Sequence, residues 1–275
     1  MSQKIKIAAI QMCSGIKPSD NLLIIENLVK QAKKDGATYV LTPEMSISYA
    51  TNKQDMAQYF KPYENNEYII HCAKIAKENK VFLHIGSMAI ANNNKKAKYL
   101  NRSILFSPNG EIIEYYDKIH LFDASPPEDK PYKESKNYLN GKRAVVAKIK
   151  NFKLGFSICY DLRFPELYNE LYQKGAQLLS IPAAFTVPTG KAHWQILLQA
   201  RAIETGSYVI AAAQGGKHEN GRETFGHSMI IDPWGEILAL KNDTKEGFII
   251  AQIDMENLQK IRKIMPNKKN NTFFC

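Results

Sequence analysis

The chain has four cysteines, Cys13, Cys72, Cys159 and Cys275, and none of them forms a CxxC pair. That spacing argues against a zinc knuckle or a redox dithiol. Long apolar runs are also missing. No segment approaches the roughly 20 apolar residues that a membrane helix needs, so no membrane partner is expected. The N-terminus runs straight into IKIAAI without an apolar signal region, so a cytoplasmic location with free thiols is expected. No internal repeat and no clean linker interrupts the chain.

The charge balance is one-sided, with 37 basic and 27 acidic residues giving a formal charge of +10. The lysines are scattered, however. The densest basic run, Lys263 to Lys269, lies in the C-terminal tail. It lacks the interleaved aromatics of a single-strand binding face, so no nucleic-acid partner is expected. A cationic surface does suit anionic small molecules. Hydrophobic residues make up 44% of 275 residues, enough for a full core without staples.

Strand and helix patterns alternate along the chain. Residues 4–12 and 37–41 read as buried strands. Between them residues 20–35 read as a helix, with Asp20 as N-cap and Gly36 as stop. A second helical pattern covers 66–79, with Tyr68, Ile69, Cys72, Ile75 and Ala76 on one face, and 81–85 is a strand. Strands 99–106 and 111–116 flank Ser107-Pro108-Asn109-Gly110, a hairpin signal. The polar, proline-rich stretch 123–141 reads as a long functional loop. Residues 152–158 alternate as a strand with one packed face. Pro165 opens a helix that stops at Gly175. The pattern then gives a strand at 177–181, a helix at 193–204 and a strand at 208–213. A second hairpin turns at Asp232-Pro233-Trp234-Gly235, and a last strand covers 248–253. Hairpins mixed among crossovers exclude a purely parallel sheet. The expected fold class is therefore α/β, a layered sandwich of two mixed sheets. Residues 1–275 are read as one domain with a short basic tail.

Three residues with useful chemistry lie just past the C-terminal ends of these strands, where layered α/β folds bind ligands. Cys159, in SICYDLRFPEL, sits at a strand-to-helix junction, which exposes a nucleophile and offers backbone N–H groups to an oxyanion. A small buried hydrophobe is its other reading. Glu44, in VLTPEMS, is either a solvated loop carboxylate or a base. Lys118, in YYDKIHLFD, is either a snorkelling stem or a functional cation.

Taken together and in this order, TPE, DKIHLFD and CYDLRFPEL resemble the nitrilase (carbon–nitrogen hydrolase) superfamily. The resemblance runs from IKIAAIQM to DPWGEIL. It implies an αββα sandwich and a homodimer or higher homo-oligomer. It also implies an amidase with a Glu44–Lys118–Cys159 triad and no cofactor or metal. The family's second glutamate is matched best by Glu134, in YKESKNYLNG, with Glu128 the other candidate. The segments PAAFTVPTGKAHWQILLQARAIE and AAAQGGKHENGRETFGHSMIIDPWG are similar to the deaminated-glutathione amidase branch. The stretch MSISYATNK after Glu44 departs from that branch, which leaves the substrate pocket open.

On this resemblance Glu44 takes the Cys159 proton and the thiolate attacks a small carboxamide. Lys118 and the Tyr160 N–H hold the oxyanion, and water then releases the thioester. Glu134 holds Lys118. Arg163, four residues after Cys159, either forks a substrate carboxylate or pairs with Asp161 or Glu166. Lys191 or Arg222 would assist it. His193 and Trp194 are read as packing residues. The triad also leaves open an ω-amide, a carbamoyl amide or a nitrile as substrate. A non-catalytic scaffold of the same fold is the reading from another class.

Overall fold

The structure, a computed structural model, describes residues 4–92, 98–127, 129 and 131–266. One mixed sheet has the strand order Gly247–Asp254, Lys4–Gln11, Tyr39–Leu41, Phe82–Ala91, Tyr99–Phe106 and Ile112–Asp117. Its middle three strands run parallel. The hairpin strands and the returning Gly247–Asp254 pair antiparallel. A second sheet is ordered Val146–Ile149, Phe152–Phe156, Leu178–Ser180, Tyr208–Ala211, Met229–Ile231 and Ile237–Leu240. Its parallel centre is Phe152–Phe156, Leu178–Ser180 and Tyr208–Ala211.

The side-chain period of two decides how the layers stack. Along the first strand, Ile7 and Ala9 face the second sheet, in one core with Leu154, Phe156 and Ile158. Ala8 and Ile10 face the other way, onto helices α1 (Pro18–Lys34) and α3 (Glu67–Asn79), through Ile25, Val29, Cys72 and Ile75. Between them, α2 (Lys53–Tyr59) is capped by Asn52, whose side chain accepts the Asp55 N–H. Helices α4 (Pro165–Gln173) and α5 (Val187–Thr205) cover the second sheet with Leu167, Leu171, Trp194 and Leu198. A short α6 (Met255–Ile264) follows the last strand. The result is a four-layer αββα sandwich. Each fully buried Leu or Ile contributes about 1.5–3 kcal/mol to it. No described helix is long and apolar enough to cross a membrane.

Several local expectations need correction. Helix α1 starts at Pro18 rather than after Asp20, because a proline at the first turn carries its helical φ ready-made. Asp20 sits in that first turn instead. The same device, Pro188, starts α5 six residues before the expected His193. The strand Phe152–Phe156 is packed on both faces. Its Gly155 lies against Leu171, Ala176 and Leu179, so only Lys153 reaches solvent. A central parallel strand has no wet face, which removes the expected alternation. The long loop is also more ordered than its composition suggests. It pairs Asp123–Ala124 with Tyr132–Lys133, forms a 3₁₀ turn at Glu134–Lys136, and adds Tyr138–Leu139 to the first sheet. The Asp232 turn is as expected, with its carboxylate accepting the N–H groups of Trp234 and Glu236. Residues 267–275, with most of the basic tail and Cys275, lie outside the described residues, as does Glu128.

Candidate active site

Three strand ends deliver Glu44, Lys118 and Cys159 to one cavity of about 180 Å³. Glu44 follows Tyr39–Leu41, and its backbone is fixed by an unusually close neighbour. A Cβ placed on Gly86 would lie 2.0 Å from Thr42 O and 2.6 Å from Pro43 O. Only glycine lets the Phe82–Ala91 strand pass that close to the Thr42-Pro43-Glu44 turn. The Ser87 N–H then donates to Pro43 O at 3.2 Å. Lys118 follows Ile112–Asp117, and its main chain is tied to Asn101 O at 3.0 Å and to the Gly141 N–H at 2.8 Å.

Cys159 follows Phe152–Phe156 and opens a 3₁₀ turn, Cys159–Arg163. Its φ is +50°, a left-handed conformation that costs a non-glycine residue energy and recurs where a turn presents a nucleophile. Two ties hold it there. The Cys159 N–H donates to Pro182 O at 2.8 Å. Asp161, fully buried, accepts the Ile158 N–H at 2.8 Å, the Tyr116 hydroxyl at 2.7 Å and His120 through Nδ1 and N.

The polar contacts form one network. Lys118 Nζ donates to Glu44 Oε1 at 2.8 Å and to Glu134 Oε2 at 2.9 Å. An ammonium has three donors, so one remains for a ligand. Glu44 Oε2 accepts the Ala184 N–H at 3.0 Å, and Glu134 Oε2 also accepts the Phe122 N–H at 2.7 Å. Asn101 spans the two acids. Its Nδ2 donates to Glu44 Oε1 at 3.0 Å and to Glu134 Oε1 at 3.1 Å.

Charge follows from this geometry. Burial pushes the Lys118 ammonium toward losing its proton, but the Glu134 and Glu44 carboxylates more than reverse that, so it stays charged. The Cys159 thiol is pushed well above the ordinary thiol range. Burial is the first cause and the Glu44 charge the second, with Lys118 and the Ala184 N–H opposing. At rest Cys159 is therefore a neutral thiol near the Glu44 charge.

Tyr160 stacks edge-on with Phe122 and Phe164. Arg163 takes neither carboxylate expected of it. Asp161 is occupied by its own turn, and the Arg163 guanidinium instead donates to His193 Nδ1 at 3.2 Å, lying over the rings of Tyr160 and Phe185. Arg163 is not among the residues lining the cavity. His193 is exposed and serves Arg163, so it is not a packing residue. Trp194 is buried, with its indole N–H on His227 O. Lys191 is exposed outside the cavity. Of Arg163, Lys191 and Arg222, Arg222 is the one that lines the cavity. It lies over Tyr132 at 4.8 Å and Tyr49 at 5.5 Å, and among the described residues it has no carboxylate partner. Among those residues no group of three or more His, Cys, Asp or Glu is placed to hold a metal.

Asn101 and Ala184 were not expected from the sequence, and Asp161 was expected only as a partner for Arg163. An asparagine inside the strand pattern YLNRSILF was the available hint, since strands disfavour it. Ala184 acts through its backbone and carries no sequence signal.

A buried thiol, base and ammonium around one small cavity define a cysteine hydrolase site. The carbon–nitrogen hydrolase family model matches residues 6–263, and the chain belongs to that family, as an enzyme that hydrolyses amides. The deaminated glutathione amidase of Synechocystis sp. is 40% identical over 97% of this chain and 97% of its own length. The Caenorhabditis elegans NitFhit protein matches with a TM-score of 0.90 at 32% identity, over 99% of this chain and 67% of that one. Saccharomyces cerevisiae Nit3, a member of branch 10 of the nitrilase superfamily, gives 0.88 at 29% identity, over 99% and 98%. The nitrilase-like sandwich expected from the sequence is thus the fold observed.

Proposed function

We propose that this chain is an amidase for a small anionic carboxamide of the deaminated-glutathione type, with residues 1–275 acting as one catalytic domain. The observation that carries the reading is the convergence of Cys159, Glu44 and Lys118 on one cavity. Glu44 accepts the Cys159 proton as sulfur attacks the amide carbon. The oxyanion takes the free Lys118 donor and the Tyr160 N–H. Glu44 then protonates the departing ammonia or amine, and water deprotonated by Glu44 cleaves the thioester. Glu134 keeps Lys118 in place throughout.

Anion preference rests on two arginines without carboxylate partners among the described residues, Arg222 in the cavity wall and Arg163 beside Tyr160. Deaminated glutathione carries a carboxylate near each end, so each arginine has an anion to meet. Arg222→Met is expected to lower kcat/KM for an anionic ω-amide roughly ten- to a hundredfold more than for a neutral amide of equal length, the loss of one charge-assisted contact. Arg163→Met should show the same bias. Ammonia or amine release from matched substrates, alongside a melting curve, measures it. Equal losses on both substrates would remove that arginine from recognition.

The enzyme is further read as a homodimer or higher homo-oligomer. Ile196 and Ile203, 69% and 54% exposed, share one face of α5 two turns apart, next to Trp234 at 54%. Gln199 ties that face to Gly235 in the Trp234 turn. An exposed apolar patch of this kind fits a self-complementary interface. Sedimentation should give a dimer or larger for the native chain and a monomer for Ile203→Lys, and a native monomer would discard the reading. A thiol nucleophile also suits a reducing compartment such as the cytoplasm, and Cys13, Cys72 and Cys159 are all free.

A further inference from the structure

Asn101 makes an unusual trade in the buried network. Its residue is 1% exposed, and both Nδ2 hydrogens go to carboxylates, Glu44 on one side and Glu134 on the other. Its Oδ1 is buried and takes no donor among the described residues. A flipped amide would set Oδ1 against two carboxylate oxygens, so the orientation is fixed by charge. A bare buried acceptor is destabilising, and leucine would fill the space without one. The network therefore keeps this side chain for its two N–H groups.

The need for them is electrostatic. Glu44 and Glu134 face each other across a single ammonium, Lys118. One cation stands between two carboxylates, Glu44 buried and Glu134 partly so. Among the described residues, the other titratable or charged groups around the pair are Cys159, Tyr49, Tyr132, Tyr138, Arg222 and Lys133. Arg222 is turned to Tyr49 and Tyr132, and Lys133 is exposed. Neither hydrogen-bonds to the acids, whereas Asn101 bonds to both.

We propose that Asn101 is a positioning residue that keeps Glu44 and Glu134 ionised together, and so sets the acid limb of the reaction. The inference rests on Glu44 acting as base toward Cys159. N–H donors favour the ionised carboxylate, so their removal raises the pH at which it gains a proton. In Asn101→Leu the acid limb should move to higher pH by roughly one unit, the equivalent of one charge-assisted bond. The backbone tie from Lys118 N to Asn101 O is untouched by the substitution.

The test avoids any choice of substrate. Iodoacetamide labelling of Cys159 is followed by peptide mass spectrometry from pH 4 to pH 9, in the full-length native chain and in Asn101→Leu. The expected result is an acid limb displaced upward by about one unit in the variant, with a similar labelling rate above it. An undisplaced limb, with labelling reduced equally at every pH, would overturn the proposal and leave Asn101 a structural residue. Failure of Cys159 to label at any pH in the native chain would instead overturn the nucleophile reading, and this proposal with it. Should Asn101→Leu not fold by circular dichroism, Asn101→Ser, which keeps one donor, should give a smaller displacement in the same direction. An undisplaced limb in Asn101→Ser would likewise overturn the proposal.

Discussion

Cys159→Ala is expected to reduce amide turnover at least a hundredfold while leaving the fold intact. The thiol is the one cysteine among the residues lining the cavity, with Glu44 and the Ala184 N–H close by. Removing it leaves a base and a cation with nothing to form the acyl intermediate. Folding should survive, because the thiol is neutral at rest and its loss strips no charge from Glu44. Glu44 keeps Lys118, Asn101 and Ala184 as partners. Alanine meets the same strain at φ +50° as cysteine does, so the backbone term cancels. Amine release and a melting curve on the same preparation decide it. Turnover above a hundredth of the native rate would sink the nucleophile assignment.

Lys118→Arg is expected to cost kcat about as much as losing an oxyanion donor, roughly 10²- to 10³-fold, although the charge is kept. Lys118 is 2% exposed and sits between two carboxylates at 2.8 and 2.9 Å. A guanidinium would still pair with them, so the acids remain compensated. It is wider and planar, however, and its hydrogens are fixed in one plane. It cannot bond to Glu44 and Glu134 and still turn a third donor to a tetrahedral oxygen. The loss should fall mainly on kcat, with KM little changed, because that donor acts in the transition state. Near-native kcat would mean that Lys118 only balances charge.

These two expectations share a physical origin. The cavity is small and Glu44, Lys118 and Cys159 are buried, so a charge on them is poorly relaxed by water. A thiol beside a carboxylate is harder to ionise, as Cys159 shows. An ammonium between two carboxylates is harder to discharge, as Lys118 shows. On the proposed mechanism the proton stays on sulfur until an electrophile arrives.

How much of this was legible in the sequence differs by element. Glu44, Lys118 and Cys159 each stand just after a run of strand residues, which made them candidates. The resemblance of TPE, DKIHLFD and CYDLRFPEL to the nitrilase superfamily singled them out. Glu44 and Lys118 follow strands of one sheet and Cys159 a strand of the other. Glu134 was reachable through its motif, and the structure joins it to Lys118. Arg163 was placed correctly near Cys159, but its partner was not. Local spacing suggested Asp161 or Glu166, whereas the contact is His193, thirty residues on. Arg222 was named only as an assistant and proves to be the arginine in the cavity wall.

By itself the sequence determined the layer pattern, through the periods of two and 3.6 in its apolar residues, and the three residue types that amide hydrolysis needs. Tertiary structure alone decided the rest. It brought Asn101 from the neighbouring strand between two acids, aimed the Ala184 N–H at Glu44, and left Arg222 without a carboxylate among the described residues. Those outcomes depend on which strand lies beside which and on the direction of single N–H bonds. Residue periodicity records neither, because a strand's pattern reports which face is buried but not which neighbour lies against it.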